Sequence, residues 1–334
     1  MSTEKARIVV TNRIPQAAVD LLRAAHDVDA READETASRE ETLRRIAGAD
    51  GVITMITDRV DDEFLDAAGD QLKVVANVAV GYNNIDVAAC ARRGVVATNT
   101  PGVLTDATAD TAFGLMLMAT RRFGEGERII RSGTPWQWGM FYLLGMDLRG
   151  KTLGIVGAGG IGIAMARRAK AFGMDIVYTS PRDMAADAAA ELGARRLELP
   201  DLLATADVVS LHCPLVPAGQ PGSTHHLIDA EALRAMKPSA YLINSARGPI
   251  VDEAALVEAL RRGEIAGAGL DVFEDEPAVH PGLLELDNVV LLPHLGSATV
   301  ETRTAMAELA ARNVLRVLAG EPALTSLAPR ATGR

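Results

Sequence analysis

Arg247, Glu276 and His294 are charged or titratable residues that each follow an apolar run in the second half of the chain. In doubly wound sheets, ligands bind beyond the carboxyl ends of the strands, so these side chains are expected at one edge of a sheet. An arginine can hold a carboxylate through two parallel hydrogen bonds. A histidine can protonate an oxygen near neutral pH, and a carboxylate on its other ring nitrogen fixes the tautomer. The three residue types together suit hydride transfer to the carbonyl group of a 2-oxo acid.

Each of these residues also has a structural interpretation. A histidine after a strand often serves only as a hydrogen-bond partner, and Glu276 beside Asp275 could belong to a solvated turn. The other histidines stand in less informative surroundings. His225 and His226 are adjacent, but no cluster of cysteines or carboxylates accompanies them, so no metal site is expected.

A glycine-rich turn at 157–162 has the spacing G-x-G-x-x-G. It lies between an apolar run at 153–156 and a helical pattern at 163–172, and a second apolar run at 176–178 follows. The first glycine permits a tight turn, the second lets the backbone approach a pyrophosphate, and the third lets the helix pack on the strand. The N–H groups of the helix N-terminus then favour phosphate. The pattern predicts dinucleotide binding; the alternative is a glycine loop that serves close packing alone.

The residues after the second strand of this unit bear on the choice of cofactor. NAD-binding units commonly place a carboxylate there for the ribose hydroxyls. This chain has Thr179, Ser180, Pro181 and Arg182 instead, and Asp175 lies at the other end of the strand. A guanidinium pairs well with a phosphate, so the sequence favours NADP(H). NAD(H) remains possible if Arg182 is an ordinary solvated loop residue.

Composition limits the classes of protein. The chain has 334 residues, with 48% hydrophobic and 23% charged residues, which predicts a globular protein of two domains. A net charge of −10 argues against nucleic acid or an anionic membrane as a partner. Cys90 and Cys213 form no disulfide or metal pattern. No signal peptide or membrane-spanning run is apparent, so a cytoplasmic location is expected.

Strands and helices alternate along most of the chain, which predicts an α/β fold with parallel sheets. The expected strands are 7–10, near 28, 51–55, 72–76, 95–98, 153–156, 176–178, 207–211, 240–244, 266–271 and 289–292. We predict two doubly wound domains. A flavodoxin-like substrate domain comprises 1–103 plus 299–334, because a terminal helix at 299–318 leads back to it. A Rossmann NAD(P)-binding domain comprises 104–298.

The segment 123–150 interrupts this alternation. It contains both tryptophans, Trp136 and Trp138, together with Phe123, Phe141 and Tyr142, in a chain with only 4% aromatic residues. An aromatic cluster outside regular elements suggests a surface that another molecule covers. We interpret it as a dimerisation arm; the alternative is a loop that packs on its own subunit.

Longer segments resemble a known family. They are NVAVGYNNID (77–86), TNTPGVLTDATADTAFGLML (98–117), LGMDLRGKTLGIVGAGGIG (144–162), INSARGPIVDE (243–253), IAGAGLDVFEDEP (265–277) and LDNVVLLPHLGSAT (286–299). In this order they resemble the D-isomer-specific 2-hydroxyacid dehydrogenases, and most of all the glyoxylate/hydroxypyruvate reductase branch. The resemblance covers most of the chain.

The resemblance implies a role for each site residue. Arg247 would bind and polarise the substrate, His294 would be the acid/base, and Glu276 would support His294. The substrate contacts it implies are Met55, Ala79, Val80, Gly81 and Arg247. The cofactor contacts it implies are Thr105, Gly157, Ala158, Gly159, Gly160, Ile161, Gly162, Ser180, Pro181, Arg182, Pro214, Ser245, Ala246, Arg247, Asp271, His294 and Gly296. Asp271 would face the nicotinamide carboxamide.

The function implied is NAD(P)H-dependent reduction of small 2-oxo acids, glyoxylate or hydroxypyruvate first, by a homodimer. The alternatives are a phosphoglycerate, phosphite or formate dehydrogenase, or a cofactor-sensing, corepressor-like binding protein. Three departures from the family are notable. Gly160 replaces a larger residue, Asn83 replaces a common aspartate, and the loop 217–222 is longer than usual.

Overall fold

A computed structural model describes residues 5–327 of the protein. The chain divides after Leu104 and again after Ser297 into two compact units. We call the unit formed by the two ends of the chain the terminal unit, and the unit formed by Thr105–Ser297 the central unit. Within residues 5–327, no helix is both long enough and apolar enough to cross a bilayer.

The terminal unit contains one parallel sheet of five strands in the order β2-β1-β3-β4-β5. Its strands are β1 (Arg7–Val10), β2 (Asp27–Ala30), β3 (Gly51–Thr54), β4 (Val74–Asn77) and β5 (Val96–Thr98). Its helices are α1 (Gln16–Arg23), α2 (Arg39–Ile46), α3 (Asp62–Ala68), α4 (Val87–Arg92) and α13 (Val300–Leu318). This strand order is the flavodoxin-like one, so the predicted fold class is confirmed.

Helix starts in the terminal unit follow from capping side chains. Ser38, Asp61, Asp86 and Thr299 each accept a hydrogen bond from the backbone N–H three residues later. Such caps satisfy N–H groups that have no partner within the helix. The Thr299 cap starts α13, whose buried face packs on β3 and β4. A Cβ on Gly51 would lie 3.1 Å from the Val314 side chain, so the last helix belongs to the core of this unit.

The central unit contains a parallel sheet of seven strands in the order β12-β11-β10-β9-β6-β7-β8. Its strands are β6 (Thr152–Val156), β7 (Asp175–Thr179), β8 (Arg195–Arg196), β9 (Val208–Leu211), β10 (Tyr241–Asn244), β11 (Gly267–Leu270) and β12 (Val289–Leu291). Its helices are α5 (Thr105–Thr120), α6 (Phe123–Arg131), α7 (Gly160–Ala171), α8 (Ala186–Leu192), α9 (Leu199–Thr205), α10 (Ala230–Ala235), α11 (Glu253–Arg262) and α12 (Pro281–Leu284). The strand order reverses between β6 and β9, as in dinucleotide-binding sheets.

Three α-helices and one strand of the central unit were not predicted. Two of them, α8 and β8, lie between β7 and α9, and α12 precedes β12. The fourth, α6, shows that the first part of the segment 123–150 is helical, so the expectation that this segment lies outside regular elements is wrong there. Gly124 and Gly126 disfavour a helix, but Arg122, at φ +55°, ends the preceding turn and lets a new helix begin. Most of the aromatic side chains still follow α6.

Candidate active site

His294 and Glu276 form a hydrogen-bonded pair in the central unit. His294 Nδ1 lies 2.8 Å from Glu276 Oε2, and the Phe273 N–H donates to Glu276 Oε1 at 3.0 Å. Burial alone would raise the pKa of Glu276, but the hydrogen bond and charge of His294 bring that pKa below its usual value. Glu276 therefore fixes the ring of His294 and leaves Nε2 outside this hydrogen bond.

The backbone of His294 is held in an unusual conformation by Asp271. His294 has φ +54°, in the left-handed region, and its N–H donates to the Asp271 carbonyl oxygen at 2.9 Å. The Asp271 carboxylate accepts from the N–H groups of Leu295 at 2.6 Å and Gly296 at 2.8 Å. Burial raises the pKa of Asp271, although these bonds oppose the effect. Asp271 thus builds the turn that presents His294.

Arg247 follows β10 in a turn that Asn244 organises. The Asn244 side chain accepts from the Ala246 N–H and donates to the Arg247 carbonyl oxygen, both at 3.0 Å. The guanidinium donates to the Ala246 carbonyl oxygen at 2.6 Å. Burial lowers the pKa of Arg247, and the negative charge of Glu276 opposes that shift. Arg247 and Glu276 therefore share one electrostatic environment.

The turn with Arg247 and the loop with Glu276 are in direct contact. A Cβ on Gly248 would lie 1.8 Å from the Phe273 carbonyl oxygen, so only glycine permits this approach. Ser245, in the same turn, has its Oγ buried with no hydrogen-bond partner within residues 5–327. A buried hydroxyl of this kind is suited to a bound ligand.

The three glycines of the turn after β6 meet different surroundings. Gly157 has φ +101°, and a Cβ there would lie 2.5 Å from the Cys213 nitrogen. A Cβ on Gly162 would lie 2.2 Å from the Gly157 carbonyl oxygen, because α7 packs tightly on the turn. Around Gly159, by contrast, a Cβ would meet nothing within 4 Å apart from its chain neighbours. The open space lies at the N-terminus of α7, so the turn fits a dinucleotide pyrophosphate.

Two further positions border this turn. Thr105 begins α5, and a Cβ on Gly160 would lie 3.7 Å from the Thr105 hydroxyl oxygen. Pro214 comes directly after Cys213, which contacts Gly157 where the strand order reverses. Ala158 and Ile161 lie within the turn itself. These predicted cofactor contacts therefore lie around one turn of the central unit.

The segment 180–182 follows β7, and Arg182 is exposed there. Asp175 is the first residue of β7 and lies at the opposite end of that strand. Sequence reasoning missed Arg196, whose guanidinium donates to the Ser180 carbonyl oxygen at 2.9 Å and to Asp183 at 2.7 Å. Arg196 therefore fixes this loop, and its charge is paired there with the Asp183 carboxylate.

In the terminal unit, the loop 79–81 has all its carbonyl groups in hydrogen bonds. The pairs are Thr100 N–H to Ala79 O at 3.0 Å, Asn99 Nδ2 to Val80 O at 2.8 Å, and Asn77 Nδ2 to Gly81 O at 3.2 Å. In a planar trans peptide, the next N–H points opposite to the carbonyl. The N–H groups of Val80 and Gly81 therefore point away from these partners, as an anion site requires.

The backbone N–H and carbonyl oxygen of Met55 both form hydrogen bonds with side chains. Its N–H donates to Asp58 Oδ2 at 2.7 Å, and its carbonyl oxygen accepts from Asn84 Nδ2 at 3.1 Å. Asn84 also lies 3.3 Å from the Asn77 side chain. Burial raises the pKa of Asp58, against hydrogen bonds that include one from Thr11. Met55 and the loop 79–81 thus belong to one polar network of the terminal unit.

A family model matches much of the central unit. Residues 113–296 match the model described as "D-isomer specific 2-hydroxyacid dehydrogenase, NAD binding domain", which is more than half of the chain. The chain belongs to the D-isomer-specific 2-hydroxyacid dehydrogenase family. It is an oxidoreductase with an NAD-binding domain, so the resemblance found in the sequence is confirmed.

Relatives of this dehydrogenase are similar over nearly their whole length. A glyoxylate reductase of Thermococcus onnurineus is 48% identical over 322 residues, which cover 95% of this chain and 94% of the relative. The crystal structure of a glyoxylate reductase from Paecilomyes thermophila has a TM-score of 0.85 at 34% identity, covering 97% of this chain and 99% of that chain. An NADPH-dependent glyoxylate/hydroxypyruvate reductase from Sinorhizobium meliloti, in complex with NADP and malonate, has a TM-score of 0.84 at 38% identity, covering 97% of both chains.

Thiol chemistry does not suit this dehydrogenase. Cys90 and Cys213 are free, and burial raises the pKa of each thiol to about 11. A thiolate nucleophile is therefore disfavoured at neutral pH. Within residues 5–327, no group of three or more histidine, cysteine or carboxylate side chains could hold a metal ion.

The residues that sequence reasoning missed are mainly asparagines that fix loops. Asn77 is the last residue of β4 and Asn244 the last of β10, and each hydrogen-bonds the segment that follows its strand. A polar residue at the carboxyl end of a buried strand is a signal that could have found both. Asn84, Asn99 and Arg196 have no comparable signal, because their partners are distant in the sequence.

Proposed function

We propose that this dehydrogenase reduces glyoxylate and hydroxypyruvate to the corresponding 2-hydroxy acids, with NADPH as the favoured hydride donor. The observation that supports the reaction most is the His294–Glu276 pair, which shares its environment with Arg247. The names of the relatives at 48% and 38% identity support the same substrates. NADH remains the alternative donor.

The reduced nicotinamide, when bound, supplies a hydride to the carbonyl carbon of the 2-oxo acid. His294 Nε2 donates the proton that the carbonyl oxygen gains. Glu276 stabilises the imidazolium before the transfer and keeps the ring in place after it. Asp271 holds the left-handed turn and so fixes the backbone position of His294.

The carboxylate of the substrate needs both charge and hydrogen-bond donors. Arg247 supplies the charge through its planar guanidinium. The Val80 and Gly81 N–H groups supply further donors, since their peptide planes are fixed by Asn99 and Thr100. Met55 and Ala79 would border the group attached to the 2-oxo carbon.

The central unit would bind the cofactor as the NAD(P)-binding domain, and the terminal unit would bind the substrate. The open turn at Gly159, with the N–H groups at the start of α7, would hold the pyrophosphate. Arg182 and the Ser180 hydroxyl would hold a 2′-phosphate, and Arg196 would fix the loop that carries them. Thr105, Pro181 and Pro214 would border the dinucleotide, and Ser245, Ala246, Asp271 and Gly296 its nicotinamide end.

Initial rates on glyoxylate, hydroxypyruvate, pyruvate and phenylpyruvate, each with NADPH and with NADH, test the proposal. We expect glyoxylate or hydroxypyruvate to be reduced fastest, and faster with NADPH. Preference for NADH would overturn the choice of cofactor alone. Absence of turnover on all four acids would overturn the proposed reaction, and would direct the next assays to phosphite and formate, whose oxidation protonates no ketone or aldehyde oxygen.

Arg182→Ala is expected to lower kcat/KM for NADPH by about 10- to 100-fold, because a charged hydrogen bond contributes about 1.5–3 kcal/mol. The value for NADH should change little, since NADH has no 2′-phosphate. Arg195→Ala is the matched control, as Arg195 is an exposed arginine of β8 close to the same loop. Equal losses with both cofactors would contradict this role of Arg182.

We also propose that the segment 123–150 forms a homodimer contact. After α6 it exposes large apolar side chains, with Trp138 75% and Phe141 89% accessible. Trp136 stacks on Tyr142 with ring centroids 6.4 Å apart, so the segment has some order of its own. Exposed apolar surface of this kind is typical of an interface.

The free thiols of Cys90 and Cys213 support a reducing compartment such as the cytoplasm.

A further inference from the structure

His226 has a strained backbone and a carboxylate partner, and the mechanism above leaves it without a role. Its φ is +50°, in the left-handed region that few residues with a side chain adopt. Its Nε2 forms a short hydrogen bond with Glu274 Oε1, and its N–H donates to the Pro249 carbonyl oxygen at 2.8 Å. Two residues on, Ile228 pairs with Val251. The strain is therefore balanced by bonds to two separate segments.

Glu274 is bonded on its other side to the start of α11. Its Oε2 accepts from the Glu253 N–H at 3.3 Å, and its own N–H donates to Glu253 Oε1 at 2.8 Å. Burial raises the pKa of Glu253, which is only 4% exposed. This reciprocal arrangement fixes Glu274 as firmly as a helix cap does.

The bonds of His226 and Glu274 join the two segments on which the catalytic set depends. Pro249 lies two residues after Arg247, and Glu274 lies two residues before Glu276. Between them, Gly248 touches the Phe273 carbonyl oxygen. Neither His226 nor Glu274 contacts the reacting atoms, yet each bond restrains a segment that presents a group to the substrate.

We propose that His226 and Glu274 are positioning residues that hold the turn with Arg247 and the loop with Glu276 in register. The proposal rests on the catalytic roles assigned above to Arg247, Glu276 and His294. Without the His226–Glu274 hydrogen bond, Glu253 still holds Glu274, but the loop 273–277 loses its restraint to the segment after Arg247. The loop, with Glu276, can then shift relative to that segment and to His294, and a shift of about 1 Å in such groups can cost as much as 100-fold in rate.

His226→Asn and His226→Gln separate this role from a general effect on folding. Asparagine tolerates the left-handed backbone, but its shorter side chain does not reach Glu274. Glutamine places an amide donor near the position of the imidazole Nε2. We expect kcat for glyoxylate to fall by about 10- to 100-fold in His226→Asn, with KM for NADPH unchanged, and to be largely restored in His226→Gln.

A second measurement does not depend on turnover. The NMR resonance of the His294 Cε1 proton, assigned by its loss in His294→Asn, should move in His226→Asn and stay in place in His226→Gln. His225→Asn is the matched control, because His225 is the exposed neighbour whose ring stacks on His226 at 4.0 Å. It should leave both readouts at wild-type values.

The outcomes distinguish this proposal from the proposed function. An unmoved His294 resonance and a wild-type kcat in His226→Asn would overturn the positioning role. A lower melting temperature with an unmoved resonance would also overturn it, in favour of a purely structural role. The wild-type protein could lack turnover of 2-oxo acids while the His294 resonance still moves in His226→Asn. That result would support the positioning role and overturn the proposed function alone.

Discussion

His294→Asn is expected to lower kcat for glyoxylate reduction by about 10²- to 10⁴-fold, the usual contribution of a general acid. The amide cannot give up a proton at neutral pH, so the carbonyl oxygen must take its proton from water. Glu276 also loses the ring nitrogen that it holds at 2.8 Å. Steady-state kcat with saturating NADPH measures the effect.

Asparagine is the informative substitution because His294 has φ +54°. Asparagine adopts this left-handed region readily, whereas alanine would add backbone strain to the loss of the acid. The thermal unfolding midpoint should therefore match that of the wild type. His280→Asn is the control, since the His280 side chain caps α12 by accepting from the Gly282 N–H, and asparagine caps well. A near-normal kcat in His294→Asn would exclude the proton-donor role.

Arg247→Lys is expected to raise KM for glyoxylate by about 10- to 100-fold, the equivalent of one charged hydrogen bond of about 1.5–3 kcal/mol. Lysine replaces a planar two-pronged donor with a point charge, so one of the two bonds to the carboxylate is lost. The effect should be larger on KM than on kcat, because the carboxylate is bound in both the ground state and the transition state.

The Arg247→Lys variant should also respond to pH differently from the wild type. Burial lowers the pKa of Arg247, yet an arginine starts so high that it stays charged. A lysine in the same place starts lower and loses its charge as pH rises, so KM should increase further between pH 7 and 9. Arg261→Lys is the control, since Arg261 pairs with Glu285 at the surface of α11. A KM that is unchanged at all pH values would contradict the role of Arg247.

Local patterns were enough to predict the regular elements around the site. The strand at 153–156, the helix that follows and the glycines between them are each specified by neighbours in the sequence, since apolar periodicity and turn conformations are short-range properties. The order of strands and helices also implied both parallel sheets. The sequence did not predict elements whose local preference was weak, such as α6 with its two glycines, or strands as short as β8.

The hydrogen bonds between Asp271 and the turn after His294 could not be predicted from local sequence patterns. The sequence indicated a carboxylate after β11 and a histidine after β12, and assigned Asp271 to the cofactor by resemblance. The structure shows both of its carboxylate oxygens in hydrogen bonds with the turn at 295–296. No pattern within either segment indicates that bond, because the partners are 24 and 25 residues apart.

By itself, the sequence determined the fold class and the family, and it singled out Arg247, Glu276 and His294 as candidate site residues, because residue type and strand ends are properties of the chain. Only the tertiary structure decided which groups hold them. Asn244 fixes the turn of Arg247, Arg196 fixes the loop of Arg182, and His226 meets Glu274 from 48 residues away. Such bonds form when parallel strands bring distant loops to one sheet edge, and their geometry depends on packing that no local preference specifies.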